Sequence, residues 1–165
     1  MSDEEDEKAA LLEFLEFQRA SVRSIVEGLS EGAWHTSVVP SGWTPAGLVE
    51  HLGGAEYHWF QQVVEGIEED FSSVEDLVPY DPHAAFVSDL PSSEILRNYL
   101  ETCELSDAIL AKSSLSNTPR GRNGDEEVSS VRWVVLHMIE ETAAHSGHLE
   151  IARELLDGQT RLGNR

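Results

Sequence analysis

One stretch of the chain carries most of its potential chemistry at helical spacing: His137-Met-Ile-Glu-Glu141-Thr-Ala-Ala-His145-Ser-Gly-His148. Glu141 and His145 are four residues apart, so on a helix they project from one face, a turn from each other. Met138 and Leu149 lie on the same stripe, so a carboxylate and an imidazole interrupt an apolar, core-facing surface. A carboxylate buried there without a partner costs roughly several kcal/mol, or gives up its charge. A divalent cation removes that cost and gives the imidazole a role. A third ligand is then expected from a facing helix, and His51 is the candidate, because it adjoins the apolar residues Leu48 and Leu52 in Trp43-Thr-Pro-Ala-Gly-Leu-Val-Glu-His51-Leu. Two imidazoles and one carboxylate suit Zn²⁺, and also Ni²⁺, Fe²⁺ or Mn²⁺. Three protein ligands leave positions open for water or substrate, which is a catalytic arrangement. The competing reading is a solvated or otherwise satisfied Glu–His pair with no metal.

The other histidines have lesser expected roles. His148, three beyond His145, reads as a group behind the ligands or an alternative ligand. His137, a turn before Glu141, can hydrogen-bond near the site. His58, seven after His51, falls on the same face at the pocket edge, and His35 and His83 fall in loops. Trp34, Trp43, Trp59 and Trp133 read first as core and bundle-end packing. Trp59 and Trp133 are also candidates to line the pocket. Cys103 sits on an apolar stripe and reads as a small core residue.

Four segments with helical periodicity must position these groups, and no segment alternates as an exposed-face strand does. The first runs from about Glu5 to Leu29 on a stripe of Leu11, Leu15, Val22, Ile25 and Val26, with Gly32 as its expected stop. The second begins at Thr44-Pro45, a cap followed by a proline that loses no needed N–H. Its stripe is Leu48, Leu52, Ala55, Trp59 and Val63, and it ends near Gly66. The third runs from Pro91-Ser92-Ser93 to about Ala111 on Leu96, Tyr99, Leu100, Cys103 and Leu110. The fourth runs from Ser129 or Ser130 to just before Gly158 on Val131, Val134, Val135, Met138, Leu149, Ala152 and Leu156. Four long amphipathic helices predict an all-α four-helix bundle. The link from about Glu68 to Leu90, with Pro79, Asp81 and Pro82, is long enough to cross the bundle. The link from Ser113 to Val128 reads as a polar loop.

The chain has 165 residues, 40% of them hydrophobic. That predicts one domain over 1–165, able to bury a core without a structural metal, so a metal here would be functional. The net charge of −20 disfavours nucleic acid and anionic lipid as partners. The acidic run Asp3–Glu7 is expected to be a frayed, solvated end over residues 1–6. A single cysteine excludes an internal disulfide. No secretory signal and no membrane span are apparent, so the cytoplasm is the expected location.

Two motifs resemble a known family. The first is Trp43-Thr-Pro-Ala-Gly-Leu-Val-Glu-His51-Leu with Trp59-Phe60. The second is Val131-Arg-Trp133-Val-Val-Leu-His137-Met-Ile-Glu-Glu141-Thr-Ala-Ala-His145-Ser-Gly-His148, followed by Arg153-Glu154 and Asp157-Gly158. The chain resembles the DinB-like superfamily, most closely its actinobacterial branch related to mycothiol-dependent maleylpyruvate isomerase and the mycothiol or bacillithiol S-transferases. That resemblance implies an up-down-down-up bundle with a long crossover between the second and third long helices. It also implies a metal triad whose matching positions are His51, Glu141 and His145, in the variant with Glu as the first member of the helix-four pair. Close relatives often continue Asn-Gly-His-Ala-Asp after the metal histidine, where this chain has Ser146-Gly147-His148-Leu149-Glu150. The isomerase's additional domain has no counterpart here, which turns the expectation away from isomerisation.

The leading expectation is therefore a transferase. The metal lowers the pKa of a low-molecular-weight thiol such as mycothiol or bacillithiol, and the thiolate attacks an electrophilic small molecule. His148 or His137 would orient a ligand or relay a proton. The alternatives are metal-dependent hydrolysis, isomerisation or elimination without a thiol, and a non-catalytic metal-binding stress protein. A homodimer through an exposed apolar helix face is also compatible with the sequence.

Overall fold

The computed structural model describes residues 3–68 and 84–161, so His83 and the prolines of the long link lie outside the described residues. Helices make up the fold: α1 (Asp3–Val26), α2 (Glu31–Trp34), α3 (Pro45–Glu56) continued by a π-helical segment (Tyr57–Val64), α4 (Ser92–Lys112) and α5 (Val131–Asp157). Among the described residues there is no strand, only an isolated bridge between Asn123 and Glu126. No described helix is long and apolar enough to cross a membrane.

The direction of each long helix follows from what its ends touch. Glu7 near the start of α1 pairs with Arg132 at the start of α5, and Arg153 near the end of α5 donates to the Ile25 carbonyl. These two helices therefore run parallel. Gly53 lies against Tyr99, and Glu65 pairs with Lys112, so α3 and α4 run parallel as well. His51 meets Glu141 and Trp59 meets Trp133, so α3 opposes α5. The result is the up-down-down-up bundle that the family resemblance implies, and two parallel neighbours require the long crossover between them.

The helix ends mostly obey local rules. Thr44 caps α3 by accepting from the Gly47 N–H at 3.1 Å, and Ser130 caps α5 by accepting from Trp133 at 3.3 Å. Gly158, at φ 77°, closes α5 in the left-handed conformation that glycine adopts without strain. Two expectations fail. The terminator of α1 is Gly28, at φ 70°, and Gly32 instead lies inside the short helix α2, which Ser30 caps. The acidic run Asp3–Asp6 is the first turn of α1 rather than a frayed end, because its carboxylates find donors. Glu4 accepts from Ser114 Oγ and from the Ser116 N–H at 3.2 Å, and acidic groups suit a helix N-terminus.

The interior is two apolar clusters with a polar layer between them. One cluster gathers Leu15, Trp59, Phe60, Val63, Ile109, Val134 and Met138. The other gathers Val22, Leu48, Leu52, Ile95, Tyr99, Cys103 and Leu149. Every long helix places polar residues at the junction: Arg19 on α1, Glu56 on α3, Ser106 on α4, and Thr142 on α5, all fully buried. Arg19 donates through Nε and Nη2 to both oxygens of Glu56 at 2.8 Å each, and through Nη1 to Asp107 at 2.7 Å. Burial works against the charge on Arg19, and the bonds and attraction of Glu56 outweigh it.

Candidate metal centre

His51 lies in the second turn of α3, whose start is fixed by the Thr44 cap and Pro45. Glu141 and His145 lie in the middle of α5, one turn apart, at the level of the polar layer. The antiparallel packing of α3 on α5 brings them together. His51 Nε2 lies 2.9 Å from Glu141 Oε1, and His145 Nε2 lies 3.1 Å from the same oxygen. The two imidazoles meet edge to face, with ring centres 5.0 Å apart. All three side chains are partly buried, with 28%, 26% and 15% of His51, Glu141 and His145 exposed, so the cluster is reachable from solvent. Hydrogen bonds from His145 and then His51 hold the Glu141 carboxyl well below the usual carboxylate range, against the opposing effect of burial.

These residues fit a divalent ion. Their three donor atoms lie within 4.8 Å of one another. Ligand distances of about 2.0–2.2 Å would place donors roughly 3–4 Å apart around one ion, so little movement is needed. The donor set is two nitrogens and one oxygen, and both Nε2 atoms face the same Glu141 oxygen.

His148 does not reach Glu141. Its Nδ1 lies 3.3 Å from Nδ1 of His145, on the far side of that ring, and the side chain is exposed. His137 sits a turn above the triad, packed edge to face on Trp59 at 4.5 Å and stacked on Trp133 at 5.2 Å. The two tryptophans thus gather around His137 rather than around the three converging ligands. His58 is turned to Gln62 and to Asn123 of the α4–α5 loop, at 2.8 and 3.1 Å. His35 donates to the Ser88 carbonyl at 3.0 Å and so anchors the end of the crossover. A cavity of about 570 Å³ between α1 and the start of α4, floored by Trp34, contains none of these side chains.

Phe86, in the crossover, has no counterpart among the expected site residues. Its ring stacks on His51 with centres 4.1 Å apart and planes 13° from parallel, and it meets His145 edge on at 6.1 Å. The crossover backbone comes down onto the start of α3. The Phe86 carbonyl accepts from the Thr44 N–H at 3.0 Å, and a Cβ on Gly47 would lie 2.1 Å from the Phe86 carbonyl. The only sequence signal for this is a large aromatic residue in a linker, followed by nothing periodic.

Comparison with known proteins adds three findings. A family model described as Mycothiol-S-transferase matches residues 10–158. A conserved protein from Enterococcus faecalis of known crystal structure superposes with a TM-score of 0.64 at 14% identity, over 92% of this chain and 97% of that one. At that identity the likeness concerns the fold alone. No curated protein matches the chain.

Proposed function

Because the chain belongs to the mycothiol-S-transferase family, we propose that it is a metal-dependent thiol S-transferase acting at His51, Glu141 and His145. It would join the sulfur of a low-molecular-weight thiol of the mycothiol class to an electrophilic small molecule. The observation that carries this reading is the convergence of two imidazole nitrogens, His51 on one helix and His145 on another, on one carboxylate oxygen. A divalent cation held there, Zn²⁺ first among the candidates, supplies Lewis acidity that brings a thiol S–H to thiolate near neutral pH.

The chain's own residues have separate tasks in this scheme. Glu141 remains ionised over the whole working range, because its pKa is held low, and so provides the negative charge that a cation needs. His145 presents Nε2 to the centre, which leaves its Nδ1 to the contact with Nδ1 of His148 at 3.3 Å; with a cation on Nε2 that contact would fix the tautomer and the ring plane. The thiol proton passes to solvent, which reaches the partly exposed cluster directly. A C–S bond forms, and the leaving group departs with its electron pair. The protein supplies no sulfur of its own: Cys103 is buried, and burial pushes its thiol pKa up to about 12. The nucleophile therefore has to arrive as a co-substrate.

The test is conjugation of mycothiol or bacillithiol to monochlorobimane by Zn²⁺-loaded protein, with metal content measured on the same samples. The expected result is thiol-dependent conjugation, lost in His51→Ala together with bound metal. Removing a ligand should weaken metal binding by more than about 100-fold, beyond what loss of an outer partner does. Turnover without any thiol, or full transfer by His51→Ala, would overturn the proposal.

A further inference from the structure

The two imidazoles of the cluster are held in different ways. His145 has a hydrogen-bond partner on each ring nitrogen, Glu141 at Nε2 and His148 at Nδ1. Among the described residues, His51 has one at Nε2 only. A metal-ligating histidine is ordinarily oriented by a bond from its second nitrogen, which sets the ring plane and the tautomer. In His51 that bond is replaced by a face contact. Phe86 lies nearly parallel on the imidazole, with ring centres 4.1 Å apart, in close stacked contact.

Phe86 is itself held in place. Its carbonyl is bonded to Thr44, the residue that caps α3, and its backbone occupies the notch left by the missing side chain of Gly47. Farther along, the crossover is tied to His35 through the Ser88 carbonyl. The residue is nonetheless 39% exposed, so its burial contributes less to the core than that of an interior phenylalanine. What it covers is the face of His51 and the edge of His145.

We propose that Phe86 is a positioning residue of the metal centre, with Gly47 as the notch that seats it. Phe86 fixes the plane in which His51 Nε2 meets the cation and keeps water from that side of the ligand set. The inference rests on the reading of the cluster as a metal site and adds a residue to it from outside the two helices that carry the ligands.

The experiment titrates the full-length apo protein with Co²⁺ against a chromophoric chelator and records the d–d absorption of the bound ion. It compares wild type, Phe86→Ala, Phe86→Tyr and Gly47→Ala, and the thermal midpoint of each apo protein is measured alongside. Phe86→Ala should weaken Co²⁺ binding on the order of tenfold, within the range seen for partners that orient a ligand. Its d–d bands should lose intensity as water joins the coordination sphere, and its apo midpoint should stay within a few degrees of wild type. Phe86→Tyr keeps the face contact and should restore both affinity and spectrum. Gly47→Ala should reproduce the Phe86→Ala spectrum, and combining the two changes should add little, as coupled sites behave. Unchanged affinity and spectrum in Phe86→Ala overturn this inference and leave the metal centre standing. Absence of Co²⁺ binding by the wild type overturns both.

Discussion

Replacing Glu56 by alanine removes two of the three hydrogen bonds that hold the buried Arg19 guanidinium, at 2.8 Å each, and leaves the bond to Asp107 and the Glu16 carboxylate at 4.0 Å. The side chains of Arg19 and Glu56 are each 1% exposed, so water cannot replace the lost carboxylate. Breaking such a pair costs about 3–5 kcal/mol. The Asp107 contact survives and its carboxylate is 61% exposed, which sets the expectation at the lower end, about 3 kcal/mol. For a domain of this length that corresponds to a fall in Tm of about 6–12 °C. Urea unfolding at neutral pH, followed by far-ultraviolet circular dichroism, measures it directly. Two further variants separate the charge from the packing. Asp107→Ala, an exposed partner, should cost less than about 1 kcal/mol. The double change Arg19→Met with Glu56→Leu should return to within about 1 kcal/mol of wild type, because an apolar pair of similar volume avoids the uncompensated charge. A loss below 1 kcal/mol in Glu56→Ala, or a double variant no better than the single one, would refute the assignment of this pair as a buried, mutually dependent unit.

Other outcomes follow from the same geometry. Cys103 should resist thiol reagents at pH 8 in the native protein and react fully on unfolding, because burial raises its pKa to about 12; rapid native labelling would contradict its placement in the core. Glu141 has a folded pKa below its ordinary value of 4.5, so its contribution to apo stability is complete above that value and disappears as pH falls through the lower folded one. The stability gap between apo wild type and Glu141→Gln should therefore be widest at neutral pH and narrow below about pH 4. A gap that widens on acidification would mean that the bonds from His145 and His51 do not favour the ionised form.

The convergence of His51, Glu141 and His145 was legible in the sequence, because two physical signals coincide there. A charged pair at i, i+4 interrupts an apolar stripe, and an imidazole adjoins the apolar stripe of a second helix. The helices were legible for the ordinary reasons of period and caps. Phe86 was not, since its partner is an imidazole 35 residues away and nothing local to the crossover encodes that contact. Arg19 carries no such signal, because a charged residue on a helix is usually solvated. Only the third dimension pairs it with Glu56, and both occupy core spacing within their helices. Gly28 and Gly32 compete as stops within four residues of each other, and the distinction depends on Ser30 starting a new helix between them.

The π-helical segment Tyr57–Val64 has a consequence of its own. A wider coil turns more consecutive side chains inward, and here Trp59, Phe60, Gln61, Val63 and Val64 are all buried. Deleting a single amino acid within this segment would let ordinary helix re-form with its ends nearly in phase, and would withdraw one of these side chains from the interior. Such a deletion would leave the ligand on α3 where it is and redraw the aromatic wall beside it. Related chains that differ by one residue at this point should therefore share a centre while presenting different surroundings to whatever molecule is handled there.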